Sequence, residues 1–288
     1  MRFVTSRTDL GDRLAVRDGD NAIDLHQADP SIPSDIVAAL GAGIDLLAAG
    51  RAAMASGAPR VPLAGQAFAP VVPRPGKIIC VGHNYRAHAT EGGNSIPVYP
   101  QLFMRSATSL VGAGAMALRP FVSDKFDYEA ELAVVIGKKG RHIKPEAALG
   151  HVFGYAPFND MSVRDYQKRT AQWTIGKNFD QTGGFGPELV SADELPPGAQ
   201  GLSIQAILNG RVVQHANTAD MIWPVADLIV LLSECVTLEP GDVIVTGTPE
   251  GVGAYRSPPL WMKAGDRIEI VIEQIGVLMN QIVDEVRG

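Results

Sequence analysis

Beyond residue 76 the chain is written almost entirely in strand-type patterns. Short runs rich in Val and Ile recur at residues 78–81, 129–136, 203–208, 243–246 and 268–272, and Asn209 and Gly210 follow the third of them as a turn pair. Helical periodicity is confined to residues 163–169 and 225–233. A parallel Rossmann or barrel fold needs a crossover helix after nearly every strand, and the sequence lacks that alternation. The expected fold is therefore a β-rich α+β protein, a mixed β-roll or sandwich. Residues 1–70 read as a separate small α+β unit, with strands around Phe3 and residues 14–16, a polar turn at residues 18–21, and Ala-rich helices near residues 36–40 and 44–55. Five prolines between Ser56 and Gly76 suggest a connection into a main domain over residues 71–288.

Composition narrows the classes of function. A formal charge of −6, with Lys and Arg scattered, supplies no basic stripe for nucleic acid. The start MRFVTSRTD has no apolar signal core, and no apolar run reaches the length of a membrane span, so no membrane association and a cytoplasmic location are expected. Cys80 and Cys235 both sit in apolar stretches and are expected to be buried free thiols.

The chemistry concentrates in a few acidic residues. In FDYEAELAVVIG, Glu129 and Glu131 stand at i, i+2 and point to one face of a strand that continues into an apolar run. Two carboxylates in a poorly hydrated place repel, and a cation between them relieves this. Oxygen-only ligation suits Mg2+ or Mn2+, with Ca2+ possible in their place. The alternative is a solvent-facing strand carrying ordinary glutamates. Asp160 follows a second apolar run and can end a strand facing the same cleft; it can also cap a helix, although Ser162 with Asp165 offers a competing capping pattern. Lys177, in the Gly-containing GKNFD, is either a site cation or a solvated surface group. His88 and Glu91 lie one helical turn apart and suit a base with its orienting carboxylate, or equally an ordinary surface pair. Gly82 before this pair and Gly92 and Gly93 after it suit a moving segment, while His83 reads as packing or a polar wall. On their residues alone, Arg105 and Gln167 are surface groups and TGTPEGVG a tight turn; lacking Gly-Lys-Ser/Thr, the turn is no nucleotide P-loop.

Eight motifs in order, KIICVGHNYRAHATE, PQLFMRSATSLVG, DYEAELAVVIGK, GYAPFNDMSVRDYQ, QWTIGKNFD, GFGP, LNGRVVQ and PGDVIVTGTPEGVG, make residues 75–288 resemble the fumarylacetoacetate hydrolase family. The resemblance implies Glu129, Glu131 and Asp160 as metal ligands and Lys177 as the charged group beside the bound substrate. It implies His88 and Glu91 as a water-activating pair on a lid, and Arg105, Gln167 and Thr248 with adjacent backbone N–H groups as substrate contacts. The implied activity is metal-dependent hydrolysis of a C–C bond in a 2,4-dioxo acid, an acylpyruvate or related diketo acid, releasing pyruvate enolate. The same electron sink serves an oxaloacetate decarboxylase or a 2-hydroxy-diene-dioate isomerase. The acyl half of the substrate would be set by the loops at residues 92–99 and 254–260. A homodimer is implied as well, for which residues 258–261 offer an apolar patch.

Overall fold

The computed structural model describes residues 1–91 and 95–287. Gly92 and Gly93, expected to mark a moving segment, lie outside them. The strand Ala130–Ile136 is the centre of the molecule. It pairs antiparallel with Val152–Asp160 on one side and with Val243–Val245 on the other. Its residues are buried without exception, which explains why its sequence from Leu132 to Ile136 is an unbroken apolar run and not an alternating one. Leu132, Val134 and Ile136 enter one core, shared with the helix Val225–Cys235 and the sheet strands Ser203–Leu208 and Arg267–Ile272. Ala133 and Val135 enter a second core on the opposite face, with Ala156 and Phe158 of the neighbouring strand.

That second core decides where the N-terminal segment goes. Phe3, Leu14, Val16, Ile23 and Leu25 pack into it alongside Ala133 and Phe158. The strand Arg2–Thr8 pairs with Glu188–Ser191, which in turn pairs with Val152–Asp160, so the large sheet runs continuously from Val61–Pro62 to the edge strand Gln101–Arg105. Residues 1–70, read from the sequence as a separate unit, share both sheet and core with the remainder of the chain. The expected N-terminal elements form as Arg2–Thr8, Gly11–Asp18, Ile36–Gly41 and Leu46–Ala55, the two helices being capped by the side chains of Asp35 and Asp45.

A five-stranded sheet, ordered Arg211–Asn217, Ser203–Leu208, Arg267–Ile272, Gly276–Asp284, Met116–Arg119, covers the first core. The result is the expected β-rich α+β architecture. The helical stretch expected over residues 163–169 shrinks to Arg164–Gln167, while the other extends over Val225–Cys235. Cys80 is buried as expected, but Cys235 is exposed because it falls at the outer end of that helix, beyond its apolar face. Among the described residues no helix is long and apolar enough to cross a membrane.

One contact measures how firmly the N-terminal segment is joined to the rest. A methyl group on Gly112 would overlap the backbone carbonyl of Phe68, and backbone has no rotamer with which to yield. Gly112→Ala should therefore lower unfolding stability by about 1–3 kcal/mol, seen as a lower urea midpoint; an unchanged midpoint would show that residues 60–70 adapt freely.

Candidate active site

Strand parity brings the carboxylates together. Glu129 and Glu131 share the face of Ala133 and Val135, and Asp160 shares the face of Ala156 and Phe158, which is the same side of the sheet. In the antiparallel register Glu131 lies opposite Phe158, and the Asp160 N–H donates to the Glu129 carbonyl at 3.0 Å. Oxygens of all three carboxylates consequently fall within 4.8 Å of one another, all buried, Asp160 completely. Asp160 faces the other two carboxylates but does not itself line the cavity, both its oxygens being taken by Arg105 and Lys177, and it owes nothing to the Ser162–Asp165 capping pattern. Ser162 Oγ donates to the Asp160 carbonyl at 2.9 Å, Asp165 accepts from Ser123, and the following helix has no side-chain cap.

Three buried cations surround this cluster. Lys177 Nζ donates to Glu129 at 2.5 Å and to Asp160 at 2.7 Å, and sits 5.1 Å from the centre of the Phe103 ring. Lys177 closes the single-turn helix Thr174–Lys177, which lies so close to Arg164–Gln167 that a Cβ on Gly176 would strike the backbone of Gln167. Only 1% of Lys177 is exposed, so the surface reading is excluded. Arg164 bonds Asp127 at 2.8 Å and reaches Glu129 at 2.7 Å. Arg105 is ion-paired with Asp160 and donates to Thr182 Oγ1 at 2.9 Å.

Four carboxylates, counting Asp127, thus face three cations, and the deficit falls on Glu131. Burial would push Glu129 up, but the charges of Lys177 and Arg164 outweigh it and hold the carboxyl at about 2. Lys177 is pulled the opposite way by burial, yet Asp160 and Glu129 raise it above the usual ammonium range. Among the described residues Glu131 has no cationic side chain at ion-pair distance; its one strong partner is the Gly247 N–H at 2.6 Å. Burial, then repulsion from Asp160 and Glu129, raises its carboxyl well above the ordinary range. An all-oxygen cluster short of one positive charge fits a hard divalent cation.

His88 and Glu91 form the other half of the site. They lie on the short helix Arg86–Glu91, and His88 Nδ1 is 3.0 Å from Glu91 Oε2. A carboxylate only accepts, so Nδ1–H donates, and in the neutral ring the lone pair then lies on Nε2. The second Glu91 oxygen accepts from the Gly251 N–H at 2.8 Å. His88 opens on the same cavity as Glu129, Glu131 and Lys177, whose remaining walls include His83, Phe103, Trp173 and Tyr255. His83, expected as packing or a polar wall, lines the cavity and packs edge-on against Trp173 with ring centres 5.3 Å apart; burial, and then His88, lowers its pKa.

The expected substrate contacts divide. Thr248 and Gln167 line the cavity, Thr248 accepting from Gln214 at 2.9 Å and Gln167 accepting from Arg164 at 2.9 Å. Arg105 does not line it: its guanidinium lies behind Asp160, fully buried, and positions that carboxylate. Several backbone N–H groups of the TGTPEGVG loop, expected to face a substrate carboxylate, instead hold protein acids: Gly247 holds Glu131, Gly251 holds Glu91, and Gly253 with Ala254 holds Asp127. Sequence reading passed over Arg164, Asp127, Gln214 and the wall residues Lys168, Trp173 and Tyr255. Arg164 and Asp127 carried a signal, each being a charged residue close to a triad carboxylate in sequence, Asp127 two residues before Glu129 and Arg164 four after Asp160.

A buried carboxylate triad suited to a divalent metal, set beside a lysine and a His–Glu pair, is the arrangement of a candidate enzyme site. Residues 77–283 match the family model described as fumarylacetoacetate (FAA) hydrolase C-terminal, and the chain belongs to the fumarylacetoacetate hydrolase family. It is 41% identical over 98% of its length to the human protein named oxaloacetate tautomerase FAHD2A, mitochondrial, covering 92% of that protein. It is 45% identical over 73% of its length to the Bacillus subtilis oxaloacetate tautomerase YisK, covering 71% of it. Among solved structures it resembles maleylpyruvate hydrolase from Sphingobium sp. SYK-6 in complex with manganese(II) and pyruvate, with a TM-score of 0.82 and 32% identity over 99% of this chain and all of that one.

The charge deficit gives a direct test of the triad. Glu131→Gln removes the unpaired charge while preserving shape, so the folded protein should survive and lose its response to metal. Mn2+ should raise the melting temperature of the parent protein and leave that of the variant unmoved. An equal rise in both would remove Glu131 from the ligand set.

Proposed function

We propose that this chain catalyses keto–enol tautomerisation of a short 2-oxo diacid of the oxaloacetate type. The observation that carries the reading is its similarity, across nearly the whole chain, to a protein named oxaloacetate tautomerase. The expectation of a hydrolase thereby gives way to the isomerase side of the same chemistry, and the cavity supplies what that chemistry needs. A divalent cation held by Glu129, Glu131 and Asp160 would supply positive charge to the carboxylate and 2-oxo oxygens of such an acid and so make its C3 hydrogens more acidic.

The protein's own residues then divide the labour. Lys177, locked between Glu129 and Asp160, stays an ammonium and serves as a fixed positive charge beside the oxygen on which negative charge develops. It is too firmly protonated to act as the base. His88 is the group with a free lone pair: its Nε2 takes the proton from C3 and returns it to the oxygen, while Glu91 holds the ring and stabilises it once charged. Trp173, Phe103 and Tyr255 supply apolar wall beside this exchange.

Hydrolysis of a 2,4-dioxo acid is the second reading, favoured by the likeness to maleylpyruvate hydrolase and by the His88–Glu91 pair itself. There His88 would take a proton from water, the water would add to the C4 carbonyl, and the C–C bond would break to release pyruvate enolate. Oxaloacetate decarboxylation needs neither step from His88.

The three outcomes separate in one comparison. The parent protein should accelerate decay of oxaloacetate enol absorbance without releasing carbon dioxide, and His88→Ala should slow that decay by roughly 100-fold or more. Parent protein that cleaves an acylpyruvate but leaves the enol signal at its spontaneous rate would establish the hydrolase. Carbon dioxide release undiminished in His88→Ala would establish the decarboxylase.

Lys177→Met should reduce turnover by roughly 100-fold. Because the ammonium is buried between two carboxylates, the same variant should also melt at lower temperature unless divalent metal is present. A variant that turns over at the parent rate would remove Lys177 from the chemistry.

A further inference from the structure

Three side chains on the cavity wall carry a fixed positive charge: Arg164, Lys168 and Lys177. Two of them are committed to protein carboxylates, Arg164 to Asp127 and Glu129, and Lys177 to Glu129 and Asp160. Lys168 is different. Among the described residues it has no ion-pair partner and its ammonium makes no hydrogen bond to the protein. It is exposed, immediately follows Gln167 at the end of the helix Arg164–Gln167, and its Nζ stands 5.5 Å from the centre of the Tyr255 ring. It therefore holds a free charge at the mouth of a cavity whose other two wall cations are already paired. The two histidines on the wall do not duplicate it: His83 is disposed toward the neutral form, and His88 is engaged by Glu91.

A 2-oxo acid bound with its carboxylate and oxo group toward Glu129, Glu131 and Asp160 would extend its other end outward along this wall. An apolar or neutral tail would meet Tyr255 and Trp173 and gain nothing from Lys168. An anionic tail would find there the one wall cation not already paired. We infer that Lys168 is a specificity-determining residue that selects substrates bearing a second carboxylate, so that the site prefers 2-oxo diacids to 2-oxo monoacids. The inference rests on the proposed 2-oxo acid chemistry for the orientation of the ligand and adds the reason for choosing a diacid.

Being exposed, the interaction is screened by salt and modest in size, and it belongs to binding and not to the chemical step. The test compares oxaloacetate with its 4-methyl ester, which keeps the 2-oxo acid and loses the distal charge, on the full chain with Mg2+. In Lys168→Met the KM for oxaloacetate should rise about three- to tenfold with kcat nearly unchanged, while the KM for the ester stays the same. The parent's preference for the diacid should shrink as salt is raised, and that of the variant should not. Lys168→Arg should restore the preference, which a merely structural role would not require. Equal changes for both compounds, or no change for either, would overturn the inference. Calorimetric binding of the two compounds separates its failure from that of the proposed reaction. If the parent turns over neither compound but binds the diacid more tightly, and Lys168→Met alone abolishes the difference, the proposed reaction fails and the inference stands; if the parent binds both equally, the inference fails whatever the turnover.

Discussion

Everything at the site depends on the pairing of Ala130–Ile136 with Val152–Asp160. That register aims Glu129, Glu131 and Asp160 from adjacent strands at one point beneath the sheet surface, where water is too scarce to screen them. Charges so buried persist only when paired, and removing one partner of such a pair characteristically costs about 3–5 kcal/mol. Arg105, Arg164 and Lys177 are therefore as much a part of the fold as of the chemistry. They fix the orientation of Glu129 and Asp160, and they leave Glu131 unneutralised. The fold thus creates an electrostatic demand that a divalent cation meets more fully than any side chain present.

The segment after Val243–Val245 joins the two halves of the cavity. Its backbone N–H groups hold Glu131 at Gly247, Glu91 at Gly251 and Asp127 at Gly253 and Ala254. Glu131 of the triad, the carboxylate that holds His88, and the partner of Arg164 are thus tied to one short stretch of chain. Displacing the helix Arg86–Glu91 would break the Gly251 contact while leaving the triad intact, so the position of the base and the position of the carboxylates are coupled through backbone hydrogen bonds. Tyr255, at the end of the same stretch, lines the cavity near His88, with ring centres 6.0 Å apart. Movement of this segment would therefore alter the shape of the cavity and the aim of the base together.

What could be read in the sequence was whatever depends on local period and on side-chain chemistry. Glu129 and Glu131 at i, i+2 on an apolar strand, with Asp160 at the end of another, gave the triad, because strand parity is a local property. The His88–Glu91 contact followed from one helical turn in the same way. Long-range pairing was not legible. Nothing in the residues around Phe3 announces that their strand joins Glu188–Ser191 and extends the main sheet. Arg105 was placed near the site correctly in the coarse sense, but which face of Asp160 it meets depends on packing some fifty residues away in the chain. The TGTPEGVG loop was recognised as important, but that Gly247, Gly251 and Gly253 hold protein acids was not legible, since glycine-rich loops bind acids whether these come from a ligand or from the protein. Cys235 shows a limit of another kind: an apolar neighbourhood in sequence does not fix which side of a helix a residue occupies.

A site of this construction does not specify one reaction by itself. In the proposed function its inner end stabilises negative charge on an oxo acid, and that demand is shared by tautomerisation, decarboxylation and C–C hydrolysis. The distinction must come from proton traffic and from the far end of the substrate. Lys177 is held protonated by two carboxylates and cannot exchange its proton on demand, so proton movement falls to His88. Where His88 meets a carbon acid directly, the product is an enol; where a water intervenes beside a second carbonyl, the product is a broken bond. On the inference drawn above, which group arrives there is decided by how the outer part of the substrate is held along Trp173, Tyr255 and Lys168, which line the cavity. Relatives that share the triad, the lysine and the His–Glu pair can thus differ in reaction through residues on this outer wall that never touch the electron sink.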